Sequence, residues 1–187
     1  MNPLPKLAAC GVALSILLAA PALAALKPGD KAPTFTAPAY LAGNPFTYDL
    51  ATALESGPVV LYFFPAAHTP GCNLEAHLFS EAVDEFASHG ASVIGITAGN
   101  TDELAEFSAE TEHCGGKFPV AADQGAKIAA QYDAVLEQKP EWSSRTSYVI
   151  TTDGRIAAVH SEMNPNQHVR AMLDAVAALG ERSAQSP

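Results

Sequence analysis

The chain contains 187 residues, with 10 basic and 20 acidic side chains, and 48% of its residues are hydrophobic. This length and composition are typical of one globular domain. The formal charge is −10, and the sequence has no cluster of Lys or Arg that could neutralise nucleic-acid phosphates or bind an anionic bilayer. The composition therefore argues against nucleic-acid binding and against peripheral membrane binding.

The N-terminal segment has the pattern of a cleaved signal peptide. Lys6 is followed by an apolar run over residues 7–20 and then by the small residues of an AxA cleavage site that ends at Ala24. The run is shorter than the roughly 20 residues that a helix needs to cross a bilayer. Cys10 has the preceding residues of a lipobox, but the apolar run continues beyond it, which argues against a lipoprotein. We expect a mature single domain over residues 25–187, periplasmic or secreted, without stable membrane association.

Hydrophobic periodicity predicts strands and helices that alternate along most of the chain. In chain order these are an extended segment with turns at 25–45, a strand at 59–64, a helix at 71–86, a strand at 92–97, a helix from an N-cap at Thr101 to about His113, a strand at 117–121, a helix at 124–132, a hairpin of strands at 147–151 and 156–161, and a helix from Asn164-Pro165 to Gly180. This order predicts an α/β fold with thioredoxin-like connectivity, in which helices cover both faces of a mixed central sheet.

Cys72 follows the strand at 59–64 and falls in the first turn of the next predicted helix. The unpaired N–H groups and the dipole at a helix start favour an anion, so this position favours a thiolate. Thr69 lies three residues earlier, where its hydroxyl can bond the sulfur or a small oxygen substrate, and Pro65 stiffens the same loop. In an exported protein, the alternative is a static structural disulfide between Cys72 and Cys114.

The residues around Cys72 are similar to those of a known enzyme family. The PxxxTxxC motif that ends at Cys72 resembles the active-site motif of peroxiredoxins, and the wider stretch at 62–79, YFFPAAHTPGCNLEAHLF, resembles the PrxQ or bacterioferritin-comigratory-protein branch. The similarity extends to Phe118-Pro119 and to the segment RTSYVI that begins at Arg145, and it covers most of residues 26–180. The resemblance implies the thioredoxin fold of the AhpC/TSA superfamily. It also implies thiol-dependent reduction of hydrogen peroxide and small organic hydroperoxides through a cysteine sulfenic acid.

The same resemblance implies a role for each site residue. Cys72 is the expected peroxidatic nucleophile, Thr69 orients the peroxide, and Pro65 shields the site from water. Arg145, which alone would be taken for a surface charge, is expected to favour the thiolate and to stabilise charge on the leaving oxygen. No bound cofactor is implied. The sulfenic acid needs a second thiol, supplied by a thioredoxin-like protein or a small thiol, and both a monomer and a dimer stay open.

The sequence departs from the PrxQ branch at the resolving cysteine. Many members of that branch carry a second cysteine five residues after the nucleophile, where this chain has His77. Cys114 is the only other thiol after residue 24, and it is followed by Gly115 and Gly116, which would allow its segment to unwind. An intramolecular disulfide between Cys72 and Cys114 is one hypothesis. The alternatives are a one-cysteine enzyme that an external thiol resolves, and a buried Cys114 with no part in the reaction.

Other kinds of function have weaker support in the sequence. A thiol-disulfide exchanger or copper-delivery protein of thioredoxin fold would need a CxxC or CxxxC pair at the helix start, where only Cys72 is present. A non-catalytic binding module with the same fold is the other alternative. The histidines His68, His77 and His113 match no closed zinc pattern with the thiols, so no metal site is expected. Glu75 is expected to accept hydrogen bonds from the framework of the site rather than to transfer protons.

Overall fold

The computed structural model describes residues 26–184, and the predicted signal peptide therefore lies outside the described residues. The strands are β1 Thr36–Leu41, β2 Asn44–Asp49, β3 Val59–Phe63, β4 Ser92–Thr97, β5 Val120–Ala122, β6 Val135–Leu136, β7 Lys139–Ser143, β8 Thr146–Ile150 and β9 Ile156–Ser161. The α-helices are α1 Leu50–Ser56, α2 Pro70–Ser88, α3 Leu104–Ala109, α4 Lys127–Gln131 and α5 His168–Ala184. Short 3₁₀ turns at Thr101–Glu103 and Pro165–Gln167 precede α3 and α5.

Seven of the strands form one mixed sheet in the order β2-β1-β5-β4-β3-β8-β9. Strands β3, β4 and β5 are parallel neighbours, whereas β8 and β9 extend the sheet antiparallel on one side and β1 and β2 on the other. The β6–β7 pair forms a separate two-stranded sheet. The predicted mixed α/β sheet with an antiparallel end is confirmed.

The central strand β3 is buried on both faces. Val59, Leu61 and Phe63 belong to one apolar cluster, which α1 and α4 cover, and Val60 and Tyr62 belong to a second, which α2, α3 and α5 cover. Successive side chains of a strand point to opposite faces, so a strand between two helical layers needs a continuous apolar run. The end of β3 carries the chain directly into the loop before Cys72.

The prediction of one helix from Thr101 to about His113 is wrong. Asn100, in the left-handed region with a φ of 51°, is the N-cap of a 3₁₀ turn, and α3 follows it. That helix ends at Ala109 because Glu110 adopts an extended backbone. Cys114 consequently lies in a series of turns at 111–116 rather than near a helix end.

Other elements also differ from the prediction, either in their bounds or because the sequence did not predict them. The segment predicted to be extended at 25–45 contains β1 and the start of β2, a hairpin whose turn has Gly43 at a φ of 80°, and neither α1 nor the β6–β7 pair was predicted. The stop predicted at Gly180 is wrong, since α5 continues to Ala184. Asn164 does accept a hydrogen bond from Asn166 N (3.1 Å), as expected of an N-cap, although the turn it begins is 3₁₀.

No helix within residues 26–184 combines the length and the apolar character required to span a membrane.

Candidate active site

Cys72 lies in the first turn of α2, as predicted. The helix begins at Pro70, whose fixed φ suits the first helical position, and the Cys72 N–H donates to Thr69 O (3.0 Å). The Cys72 side chain is only 1% exposed and belongs to the apolar cluster that includes Tyr62 and Phe79. The sulfur is therefore removed from bulk water but stands at the positive end of a 19-residue helix.

The loop at residues 65–69 is held against the end of β4. Gly99 approaches it so closely that a Cβ there would lie 2.4 Å from Pro65 O, which no real side chain tolerates. Asn100 Nδ2 donates to Ala67 O (3.0 Å) on the same loop. These contacts fix the backbone that leads into α2, and Gly99 is required for the close approach.

Arg145 is buried beside the sulfur. Its Nη2 lies 3.5 Å from Cys72 Sγ, its Nε donates to Met163 O (3.0 Å), and its Nη1 donates to Glu75. The guanidinium is 4% exposed. Gly71 leaves room for it, since a Cβ at that residue would lie 3.1 Å from Nη2. Arg145 is thus fixed by two side chains of α2 and by the carbonyl of Met163, and the surface-charge alternative is wrong.

Glu75 and His168 extend this network behind Arg145. Both side chains are fully buried, and Glu75 Oε1, which has no hydrogen-bond partner, lies 3.6 Å from His168 Nδ1. His168 Nε2 donates to Glu162 O (2.8 Å), so Nδ1 of the neutral ring accepts from Ser147 Oγ (2.8 Å). Burial lowers the pKa of His168 to about 4, in agreement with a neutral ring. Burial also raises the pKa of Glu75 to about 8, against the opposing effect of Arg145.

The pKa of Glu75 predicts how stability depends on pH. Its folded value lies above the ordinary 4.5, so this carboxyl stabilises the fold fully below pH 4.5 and loses that contribution as pH rises through 8. His168, whose folded value is depressed, contributes above pH 6.5 and loses stability only as pH falls toward 4. As pH rises from 6.5 to 8, deprotonation of Glu75 is therefore expected to lower the free energy of unfolding by about 1–2 kcal/mol.

Urea unfolding of Cys72→Ser and of Cys72→Ser/Glu75→Gln at several pH values measures this effect without titration of the Cys72 thiol. The Glu75→Gln protein should lose the decline between pH 6.5 and 8. His77→Gln in the same background is the matched control, because His77 is exposed on the same helix. Parallel curves with and without Glu75 would contradict the assignment.

Thr69 and Pro65 occupy the loop beside the sulfur. Thr69 Oγ1 donates to Ala66 O (3.0 Å), and it forms no helix-capping bond. A hydroxyl that donates to a carbonyl keeps its lone pairs, so Thr69 can accept a hydrogen bond from a peroxide O–H. Pro65 and Thr69 are both half-buried.

An open cavity of about 290 Å³ reaches Arg145 from the surface. Met163 and Ser161 line it, together with β6 and the turn that connects β6 to β7. The unpredicted strand β6 and the turn after it therefore border the path by which solvent approaches the guanidinium.

Cys114 is completely buried and, like Cys72, is a free thiol. The two cysteines belong to the same apolar cluster. Burial, with a smaller contribution from Glu110, raises the pKa of Cys114 far above its usual range. Gly115 and Gly116, with φ values of 60° and 68°, form the turns that follow it. The structure is therefore that of the reduced pair, and the static-disulfide alternative for Cys72 has no support in it.

The sequence predicts the residues of the motif but not the residues that hold Glu75 and Arg145 in place. His168, Ser147 and the Met163 carbonyl belong to no local motif. His168 reaches Glu75 from α5, Ser147 bonds to His168 from β8, and Met163 meets Arg145 from the segment after β9. Glu75 does accept a hydrogen bond from the framework, as expected.

Comparison with known proteins gives consistent matches. The AhpC/TSA family model matches residues 28–159. The Mycobacterium tuberculosis protein named "Putative peroxiredoxin Rv1608c" is 34% identical over 157 residues, which are 82% of this chain and 98% of that protein. The crystal structure of peroxidoxin BcpB from the same organism superposes with a TM-score of 0.70 at 32% identity and covers 82% of this chain and 98% of its own. Peroxiredoxin Q from chloroplasts of Gentiana triflora is 28% identical over 119 residues, 63% of this chain and 54% of its own. The chain belongs to the AhpC/TSA family and is a peroxiredoxin, a thiol-dependent peroxidase.

Proposed function

We propose that the protein reduces hydrogen peroxide and small organic hydroperoxides, with Cys72 as the peroxidatic nucleophile. The observation that carries this proposal is the buried guanidinium of Arg145, whose Nη2 lies 3.5 Å from Cys72 Sγ at the start of α2. A cation and a helix N-terminus that converge on one sulfur favour its anion. The same donors can stabilise an oxyanion that forms beside the sulfur.

The proposed first step is attack of the Cys72 thiolate on one peroxide oxygen. A sulfur–oxygen bond forms as the oxygen–oxygen bond breaks, so sulfur loses two electrons and the peroxide gains them. The leaving oxygen departs as hydroxide or alkoxide and takes up a proton to give water or an alcohol. Arg145 stabilises its developing charge, and Thr69 orients the peroxide by accepting its hydrogen bond. Pro65 limits access of water to the loop.

We propose that Cys114 resolves the resulting sulfenic acid. Its thiolate would attack the Cys72 sulfur, so that a sulfur–sulfur bond forms as the sulfur–oxygen bond breaks, and the departing hydroxide takes up a proton to give water. A thioredoxin-like protein or a small thiol then reduces the disulfide. The shared apolar cluster and the two left-handed glycines after Cys114 support this role. Because Cys114 is buried and its pKa is raised, the turns at 111–116 must open before it reacts.

Mass spectrometry of the reduced protein after one equivalent of hydrogen peroxide tests both steps. We expect the mass to fall by two hydrogens, because a disulfide forms, and we expect Cys114→Ser to gain one oxygen instead. A protein that keeps its reduced mass would contradict the peroxidase. Unimpaired turnover of Cys114→Ser with the same reductant would remove only Cys114 from the mechanism.

We also propose that residues 1–24 are a signal peptide and that the enzyme acts in the periplasm or outside the cell, as a monomer or a dimer of one domain over residues 25–187. The sequence pattern supports this proposal. The reducing electrons must then come from a donor outside the cytoplasm. N-terminal sequencing of the exported protein should begin at Ala25, and retention of the first residues would contradict it.

A further inference from the structure

Three side chains outside the Cys72 site converge on one point. His68, Glu110 and His113 each bring one nitrogen or oxygen atom to within 4.8 Å of the others. Glu110 Oε2 lies 3.6 Å from His68 Nδ1 and 3.2 Å from His113 Nε2. His68 belongs to the loop before α2, and the other two residues follow α3.

The separations match those of ligands around one small metal ion. Bonds of about 2.0–2.1 Å in a tetrahedral site place neighbouring ligand atoms about 3.3 Å apart. Phe107 holds both imidazoles, since its ring centroid lies 5.4 Å from that of His68 and 5.1 Å from that of His113. The nitrogens that face Glu110 thus lie close to ligand spacing from its Oε2, and all three atoms lie within 4.8 Å of one another.

The carboxylate of Glu110 is poorly satisfied without a cation. Its Oε2 is buried and has no hydrogen-bond partner, although two imidazole nitrogens face it. Buried polar atoms are normally paired, and an orphaned one calls for a specific explanation. A cation would satisfy Oε2 and the two nitrogens that face it, His68 Nδ1 and His113 Nε2. The opposite nitrogens of the two rings are also buried without a hydrogen-bond partner. The side chains of His68 and Glu110 are 27% and 37% exposed, so an ion and a fourth, water ligand can reach the cluster from solvent.

We propose that His68, Glu110 and His113 bind a divalent transition-metal ion, for which zinc is the best match. Two imidazoles and one carboxylate suit zinc, whereas the hard cations prefer sites made of oxygen alone. The spacing rules applied to the sequence predicted no metal site, because the ligands stand on separate elements with all of α2 between His68 and the other two. The ion would occupy a place distinct from the peroxide site, which Cys72, Thr69 and Arg145 form.

Such an ion would tie together the two segments that carry the cysteines. His68 lies in the loop that leads to Cys72, and His113 is adjacent to Cys114. The turns at 111–116 must open for Cys114 to react, and a shared ligand set opposes that opening. We therefore expect bound zinc to slow formation of the disulfide between Cys72 and Cys114; this expectation rests on the proposed function.

Isothermal titration of Zn²⁺ into the chain from residue 25, with Cys72→Ser and Cys114→Ser to remove thiol binding, tests the site. We expect one ion per chain, with affinity at least tenfold weaker in His113→Gln and in Glu110→Gln. His77→Gln is the matched control, since His77 is exposed and pairs with exposed Glu81 (3.5 Å), and it should bind like the parent. Circular dichroism confirms that each variant is folded. No binding by the parent, or equal binding by all three variants, would overturn the site.

The rate at which the protein with both cysteines forms its disulfide tests whether bound zinc opposes opening of the turns at 111–116. Zinc at a concentration that saturates the parent but not Glu110→Gln should slow the loss of two hydrogens after peroxide at least tenfold in the parent, and Glu110→Gln should resist this effect. Equal slowing in Glu110→Gln would show that zinc inhibits by binding the thiols. It would contradict the claim that zinc at His68, Glu110 and His113 slows disulfide formation. A metal-free protein that forms no disulfide contradicts the proposed resolving role of Cys114, while the titration still decides whether the ion binds.

Discussion

Replacement of Cys72 by serine is expected to abolish reaction with hydrogen peroxide. The thiolate is the group that peroxide oxidises, and a serine hydroxyl stays protonated and is not oxidised under the same conditions. The reduced wild-type protein should consume one equivalent of peroxide at least 10²–10³ times faster than free cysteine, because Arg145 and the helix start stabilise the charge that develops at the sulfur. Stopped-flow fluorescence of Trp142, the single tryptophan, can follow the reaction.

The matched control is Cys114→Ser, which should keep the fast first step. Cys114 is fully buried and its pKa is raised, so it is a poor nucleophile in the folded protein. If Cys114→Ser lost the fast step and Cys72→Ser retained it, the two roles would be reversed. Equal rates for the wild-type protein and free cysteine would remove the kinetic basis for Cys72 as an activated nucleophile.

The elements that the sequence predicts best are those with a strong local pattern. The run that became β3 is apolar at every position because both of its faces are buried, and β4 has the predicted bounds. The helix that carries Cys72 was predicted because proline and the apolar periodicity act locally. Strands β6 and β7 were missed because they are short, half-exposed and paired only with each other.

The same distinction applies to the site. Cys72, Thr69 and Pro65 lie within one motif, and Arg145 was named because its segment RTSYVI resembles that of peroxiredoxins. The order of residues within one segment does not show which side chains from distant segments come into contact in the fold.

Two cases illustrate that limit. His168 stands on the last helix and reaches Glu75 only because α5 packs beside α2. His68 and His113 approach Glu110 only because α3 ends at Ala109 and the chain then turns back, where the sequence predicted a longer helix. The error in that boundary therefore also concealed the convergence of these three side chains.

Removal of the guanidinium in Arg145→Ala is expected to slow oxidation of Cys72 by about 10²–10³-fold, comparable with the loss of one oxyanion donor in other enzymes. Arg145→Lys should also be slow, by at least tenfold. A single ammonium cannot contact Cys72, Glu75 and the Met163 carbonyl in the geometry that the planar guanidinium allows. Stopped-flow oxidation by hydrogen peroxide at fixed pH measures both effects.

A structural loss must be separated from a chemical one, because Arg145→Ala also leaves Glu75 buried without its main partner. At pH values above the Glu75 pKa of about 8, where the carboxyl is charged, breaking this buried pair from one side costs about 3–5 kcal/mol of stability. The double variant Arg145→Ala/Glu75→Gln replaces the carboxyl with a neutral amide, so urea unfolding should show that it regains part of this stability. Its peroxide reaction should stay as slow as that of Arg145→Ala, since the charge beside the sulfur is still absent. If the double variant recovered the wild-type rate, Arg145 would act by holding the fold, and the stabilisation of charge at Cys72 would have to come from the amides at the start of α2.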